Sequence, residues 1–279
     1  MTLRAVVRKD FHDSIRSFSL LSTTAVFVAF GALLAAIQWV PPIYRGGAVD
    51  PNTLALLNSM RQPTVFLVPL IGLLLAYDSL AGEREDGSLR LLLGLPNTRA
   101  EAVLGKVIGR TGVLAVSVGV GYAVAGGIAL ATYESFDATV FALYTVLTVV
   151  YGAVYVAMAT GFSAAMRTRM NAFAGAGGLY ALFLLGWDVL LLALQLVIYG
   201  NDIPETGLPD WFKLLGLANP STAFMHAVQV FVPEYAEITF YPEGSAWYLD
   251  DWMGFVVLAA WAVVPLVLGL WRFERTDVH

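Results

Sequence analysis

Six stretches of this chain are too long and too apolar to remain in water, and they constrain the fold before any other feature does. They run over residues 19–40, 63–82, 109–131, 139–165, 172–199 and 254–272. Each meets the roughly 20 apolar residues that a helix needs to cross a bilayer. The apolar residues are continuous, not alternating, which disfavours a closed β-barrel. Helices satisfy their own backbone groups in lipid. The expected fold is therefore an all-α integral membrane protein with six transmembrane helices. Composition agrees. Only 13% of the 279 residues are charged, against about 25% in a soluble domain. That balance excludes a cytosolic enzyme, a disordered regulator and a nucleic-acid partner.

Orientation follows from the cations. Of the 16 Lys and Arg residues, thirteen fall at the termini and in the second and fourth connections. Only Arg45, Arg61 and Lys213 fall in the alternate connections. Cytoplasmic segments collect Lys and Arg, so both termini are expected in the cytoplasm, with the chain multi-pass in the cell membrane. Acidic residues collect on the opposite side, including Glu134, Asp137, Glu234 and Asp250. An acid-rich exterior with few lysines suits a halophilic, archaeal host, or simply an acidic outer face. The first apolar run is too long for a cleaved signal and reads as a retained span.

The connections carry their own patterns, and the whole reads as a single permease-sized membrane domain. In residues 1–18, Leu3, Val7, Phe11, Ile15 and Phe18 recur at helical spacing, which predicts an amphipathic helix lying in the membrane interface. Asp50 and Pro51 read as the start of a small helix through Met60, with Pro63 opening the second span. The stretch 83–108 is the most distinctive. Glu83, Arg84, Glu85 and Asp86 precede Gly87, and Ser88 can cap a short apolar arm from Leu89 to Leu93. Gly94 and Pro96 end that arm. Thr98 and Glu101 form a capping box that restarts a helix through Lys106 into the third span. The leucines either dock to a partner or lie back on the membrane surface. Ser117 with Gly121, Ala123 with Gly127, Ala157 with Gly161, and Ala174 with Gly178 have the spacing of close helix contacts. In the outer loop, 200–253, Asn219 and Pro220 can open a surface helix with Phe224, Val228 and Phe231 on one face. Trp211, Trp247 and Trp252 suit the interfacial belt.

Several chemistries are missing. The chain has no Cys and 3 His, so thiolate chemistry is excluded and a metal site is not expected. Gly105-Lys106 is followed by Val107 and lacks the upstream glycine of a phosphate-binding loop. The chain itself is therefore not expected to be an enzyme or to bind a nucleotide cofactor. Two carboxylates fall inside spans. Asp188 is near the middle of the fifth, where it serves either a substrate or proton site or a structural hydrogen bond. Asp78 lies near the cytoplasmic end of the second, within reach of Arg110 or Arg84.

From Phe66 through Asp78, then Gly82-Glu83-Arg84-Glu85-Asp86-Gly87-Ser88-Leu89, Leu91-Leu92-Leu93, Pro96, Arg99 and Gly105-Lys106, the sequence resembles the type-2 family of ABC transporter permeases. Lys9-Asp10-Phe11, Asn219-Pro220 and Arg272-Phe273-Glu274-Arg275 extend the resemblance over the whole chain. Within the family it is most similar to the permease of the nitrous-oxide-reductase maturation system, with Arg84 where that relative tends to carry an acid. The resemblance implies a homodimer of permease copies, with ABC ATPase subunits beneath that hold ATP and Mg. It admits an accessory protein on the outer side. It also implies a coupling helix at Gly87–Pro96. The ATPase-coupling residues would be Glu83, Glu85, Gly87, Ser88, Leu89, Leu92, Leu93, Pro96, Arg99 and Lys106. The expected function is the membrane subunit of an ABC transporter, an exporter or maturation system of unidentified substrate. The competing reading is a stand-alone secondary transporter or channel using Asp188.

Overall fold

The computed structural model describes residues 3–37, 51–89, 98–200, 207–238 and 246–275. Among these residues six helices are long and apolar enough to cross a membrane: Ser19–Ala36, Thr53–Glu85, Arg99–Thr132, Ala138–Ala165, Arg169–Tyr199 and Met253–Glu274. In chain order the helices are α1 (Leu3–Arg16), α2 (Ser19–Ala36), α3 (Thr53–Ala76), α4 (Ala81–Glu85), α5 (Arg99–Thr132), α6 (Ala138–Ala165), α7 (Arg169–Ala181), α8 (Trp187–Tyr199), α9 (Asp210–Leu217), α10 (Pro220–Gln229) and α11 (Met253–Glu274). A π-helical turn, Leu182–Gly186, joins α7 to α8.

The middle of the bundle is α6, packed against α3, α5 and α11, while α2 lies along α5. Its Tyr144, Tyr151 and Tyr155 are fully buried. A buried phenol needs a hydrogen-bond partner, and neighbouring spans supply several. Thr64 on α3 bonds the Tyr122 hydroxyl at 2.7 Å and accepts from Tyr144 at 3.1 Å. Tyr151 meets Ser221 on α10 at 2.9 Å. Its ring stacks on Phe224 at 4.5 Å between centroids. Helix α10 is thus a plug set into one mouth of the bundle, not a helix on its surface. Asn219 caps it, as expected, and Phe224 and Val228 are buried. The helix ends at Gln229, so Phe231 turns outward and is 47% exposed.

Other expectations change in detail. The second span starts at Thr53, with Asn52 as N-cap, and runs through Pro63 and Pro69 without a break. Asp50 lies outside the described residues. Inside a bundle, losing one backbone bond at a proline costs less than opening the helix to an apolar medium. Of the four small-residue pairs, two make crossings. Gly121 abuts the Phe27 backbone while Ser117 bonds Thr24 at 3.0 Å. Gly161 sits against Pro265 and Gly269 of α11. Gly127 and Gly178 have nothing within 4 Å of a built Cβ, so those pairs face outward.

Helix α1 forms where its periodicity placed it, but its buried stripe is Val6, Asp10 and Ser14. It docks along α5. Ile15 and Phe18, expected on the apolar face, are 47% and 71% exposed. An apolar face turned to the membrane interface is exposed in the same way; what turns Val6, Asp10 and Ser14 inward is electrostatic and is found at the cation-rich end of the bundle.

Candidate functional site

At that end, charged side chains from α1, α4 and α5 converge. Asp10 is 5% exposed and Lys106 3% exposed. The Lys106 ammonium donates to Glu83 at 2.9 Å and lies 3.6 Å from Asp10. Arg110 donates through Nε to both Asp10 oxygens, at 3.0 and 3.2 Å, and through a terminal nitrogen to the Leu75 carbonyl at 2.7 Å. Lys9 approaches Glu83 at 3.6 Å from the more exposed side. One carboxylate on α1 and one on α4 therefore share Lys106. The arrangement leaves two carboxylates against three cations, which keeps each buried ion compensated.

The sequence allows this approach because α5 offers glycines. A Cβ at Gly105 would come within 2.6 Å of Val6, and one at Gly109 within 2.7 Å of an Asp10 oxygen. Small residues at spacing four thus seat α1 directly on the backbone of α5.

The other expected residues form a collar around this cluster. The capping box is made: Thr98 accepts from Glu101 N–H at 3.1 Å, and Glu101 accepts from Thr98 N–H at 2.9 Å. Arg99 donates to the Phe273 carbonyl, and its guanidinium lies 5.1 Å from the Phe273 ring centroid. Arg84 lies 5.3 Å from the same ring and donates to the Met166 carbonyl. Phe273 is thus held by two guanidinium groups. Glu85 accepts from the Arg169 N–H at 3.0 Å, and Asp86 pairs with the Arg169 guanidinium at 2.8 Å. Gly87 has φ 75°, a left-handed conformation that favours glycine, and it turns the chain after α4. Ser88 donates to the Glu83 carbonyl at 3.4 Å.

Leu89 is fully buried with Leu80, Val103, Ala164 and Phe273. It anchors the start of the leucine arm to the protein's own core, so it is not one of the arm's outward groups. Leu92, Leu93 and Pro96 lie outside the described residues. Arg110 engages Asp10 and not Asp78, and Arg84 engages main-chain carbonyls; Asp78 contributes its own carbonyl to Gly82 N–H at 2.8 Å. Asp188 is remote from the collar and lines a cavity beside α10. Among the described residues no group of three metal-ligating side chains occurs.

Sequence reasoning missed Asp10, Phe273 and Arg169 as partners in the collar. For Asp10 a signal existed: Val6, Asp10 and Ser14 share one helical face with spacing four.

The sequence pattern described as "ABC-2 family transporter protein" matches residues 4–278. The chain belongs to the ABC-2 transporter family. Two curated relatives carry the same name, "Probable ABC transporter permease protein NosY". The one from Pseudomonas aeruginosa is 30% identical over 285 residues, covering 98% of each chain. The one from Stutzerimonas stutzeri is 32% identical over 223 residues, covering 78% of each. The protein is thus a multi-pass membrane permease subunit of an ABC transporter, a class that works with an ATPase. This membership removes the stand-alone carrier as the reading of the chain. In this permease the charged collar occupies the stretch that carried the resemblance.

Proposed function

We propose that the collar is the coupling site through which ATPase subunits drive this permease. The leucine arm up to Pro96 docks in a groove of the ATPase, with Leu92 and Leu93 as the apolar groups that meet it. Glu83, Glu85, Arg99 and Lys106 hold the arm's two ends at fixed places on the bundle, and Leu89 roots it. ATP and Mg are bound by the ATPase, not by this chain. The observation that carries this reading is the Lys106 ammonium shared by Glu83 and Asp10. It ties the arm's entry, the third span and α1 into one body, which a moving ATPase can push as a unit.

The permease acts as a homodimer with both termini in the cytoplasm. The cation count supports the orientation. The fifth span, only 11% buried, supports a second copy against it, because an exposed carboxylate such as Asp188 is costly against lipid. The resemblance to an enzyme-maturation permease supports export as the direction and metalloenzyme maturation as the setting, with an outer-side protein as recipient.

The test is recovery of the tagged chain from its native membranes in mild detergent. An ATPase should co-purify at a one-to-one ratio and be lost in Leu92→Asp or Leu93→Asp, with insertion unchanged. Retention of the ATPase in both variants would remove the arm from the interface.

A further inference from the structure

The last span, α11, touches the root of the leucine arm at one end and the plug helix α10 at the other. At the first end Phe273 is fully buried in one cluster with Leu89. Arg84 precedes the arm and Arg99 follows it, and their guanidinium groups lie 5.3 and 5.1 Å from the Phe273 ring centre. Arg99 also donates to the Phe273 carbonyl. The segment Arg272-Phe273-Glu274-Arg275 thus ends the chain's last helix on both roots of the arm.

At the other end α11 carries the plug. Gly254, in its first turn, has no room for a side chain: a Cβ there would overlap the Ala223 carbonyl oxygen and lie 2.8 Å from the Ala227 nitrogen, both on α10. His226 of α10 bonds Asp251, just ahead of α11, at 3.0 Å. Trp261 donates to the Ala218 carbonyl, at the entry to α10, at 2.9 Å. Between its ends α11 crosses α6 backbone to backbone. A Cβ at Gly269 would overlap the Gly161 carbonyl oxygen, and one at Gly161 would overlap the Pro265 carbonyl oxygen. Gly269 stands four residues from Phe273 and fifteen from Gly254. At 1.5 Å of rise per residue these are arms of about 6 Å and about 22 Å.

We propose that α11 is a lever that carries the motion of the coupling arm to the plug, with Phe273 as its input and the Gly161–Gly269 crossing as its pivot. The proposal rests on the coupling reading above. Phe273 is a positioning residue, since it touches the roots of the arm and is buried away from any partner surface. The unequal arms enlarge a displacement of Phe273 roughly fourfold at Gly254 when α11 tilts as a rod. The helix is continuous from Met253 to Glu274 through Pro265, and close-packed contacts transmit strain instead of absorbing it. The lever also has room to swing. Val263, Val264, Val267 and Leu268 are all more than half exposed, whereas α5, which also leaves the arm, is lined by α1 and α2. A push on the arm's root therefore tilts α11 against α6 and shifts the plug that Gly254, Asp251 and Trp261 hold.

The experiment uses the full chain in complex with its ATPase, in lipid nanodiscs. The chain has no cysteine, so spin labels are placed at Val230→Cys, at the end of the plug, and at Leu130→Cys, at the same end of α5; both positions are exposed. Labelled copies are diluted with unlabelled ones. The distance between the labels is measured by double electron–electron resonance without nucleotide and after trapping with ATP and vanadate. Trapping should shift the distance in the parent. Phe273→Leu removes the ring and keeps a buried apolar side chain; the ATPase should still co-purify and the shift should be lost. Phe273→Met fills the same space with a flexible chain and decides the matter if the leucine variant fails to fold. An unchanged distance in the parent, a parent-sized shift in the Phe273 variants, or loss of the ATPase from them would each overturn the proposal. Failure of the coupling reading is separate, because it shows as retention of the ATPase in Leu92→Asp and not in this distance.

Discussion

Asp10 shows what one residue decides here. Of the two carboxylates on a mostly basic helix it is the buried one, and it is the reason α1 turns its Val6 face inward. Its two oxygens face Arg110, and Lys106 stands 3.6 Å away. Removing one partner of a buried pair leaves the others uncompensated. Asp10→Asn should therefore cost about 3 kcal/mol. Asp86→Asn breaks a pair whose side chains are 46% and 63% exposed and should cost well under about 1 kcal/mol. Unfolding of both variants in the same detergent compares them; equal midpoints would show that the cluster is not holding α1. Asp78, by contrast, was the carboxylate whose depth suggested an ion pair. It takes neither Arg110, which engages Asp10, nor Arg84, which engages main-chain carbonyls.

At the scale of elements, close approach controls two joints. The first is α1 on α5, where Gly109 leaves no room for a side chain beside Asp10. Gly109→Val should lift α1 and loosen it enough for trypsin to cut at its already exposed arginines in intact proteoliposomes. Gly119→Val, which has nothing within 4 Å of its Cβ position, should leave the digestion pattern unchanged. If both variants resist trypsin alike, α1 does not depend on this contact. The second joint is at Asn219, which both caps α10 and donates to the Phe183 carbonyl of the π-helical turn. Asn219→Ala should cost about 2 kcal/mol by losing both roles. Asn219→Asp keeps the cap and loses only the donor, so its melting point should fall between those of Asn219→Ala and the parent. A melting point equal to that of Asn219→Ala would mean the cap contributes nothing.

The same joints make the elements unequal. In its most apolar stretch the second span has 61% of its residues buried and the fifth 11%, although both are apolar enough to cross a membrane. In the fifth span the sides not covered by α3 and the plug carry Leu185, Val189 and Leu192, all more than half exposed.

For the whole molecule the absence of cysteine becomes a tool. A single cysteine at Val189 should crosslink two copies in native membranes, whereas one at Leu191, 8% exposed, should not. Failure at Val189, Leu185 and Leu192 together would argue against a dimer through the fifth span. Orientation can be read the same way. In intact cells, Asp86→Cys should be shielded from a membrane-impermeant maleimide and Glu234→Cys should react. The reverse pattern would invert the proposed topology.

How much of this was legible in the sequence follows from what each interaction depends on. The six spans, the capping box at Thr98 and Glu101, the Asn219 cap and the cation asymmetry depend on residues close together in the chain. Transfer of apolar side chains to lipid and local backbone bonding determine them, so the sequence by itself determined the fold class and the ends of several helices. Which faces meet depends on contacts between distant residues. Asp10 with Lys106, Phe273 with Arg84 and Arg99, and Ser221 with Tyr151 join positions that no periodicity links. Two of four similar glycine pairs became crossings and two stayed on the outside, because a small residue only permits close approach and a neighbouring helix must supply it. The cavity that Asp188 lines is likewise a product of assembly, since its walls come from α3, α10 and the fifth span. Tertiary structure alone decided these, because the energy of a buried charge or a close crossing is set by what lies opposite it.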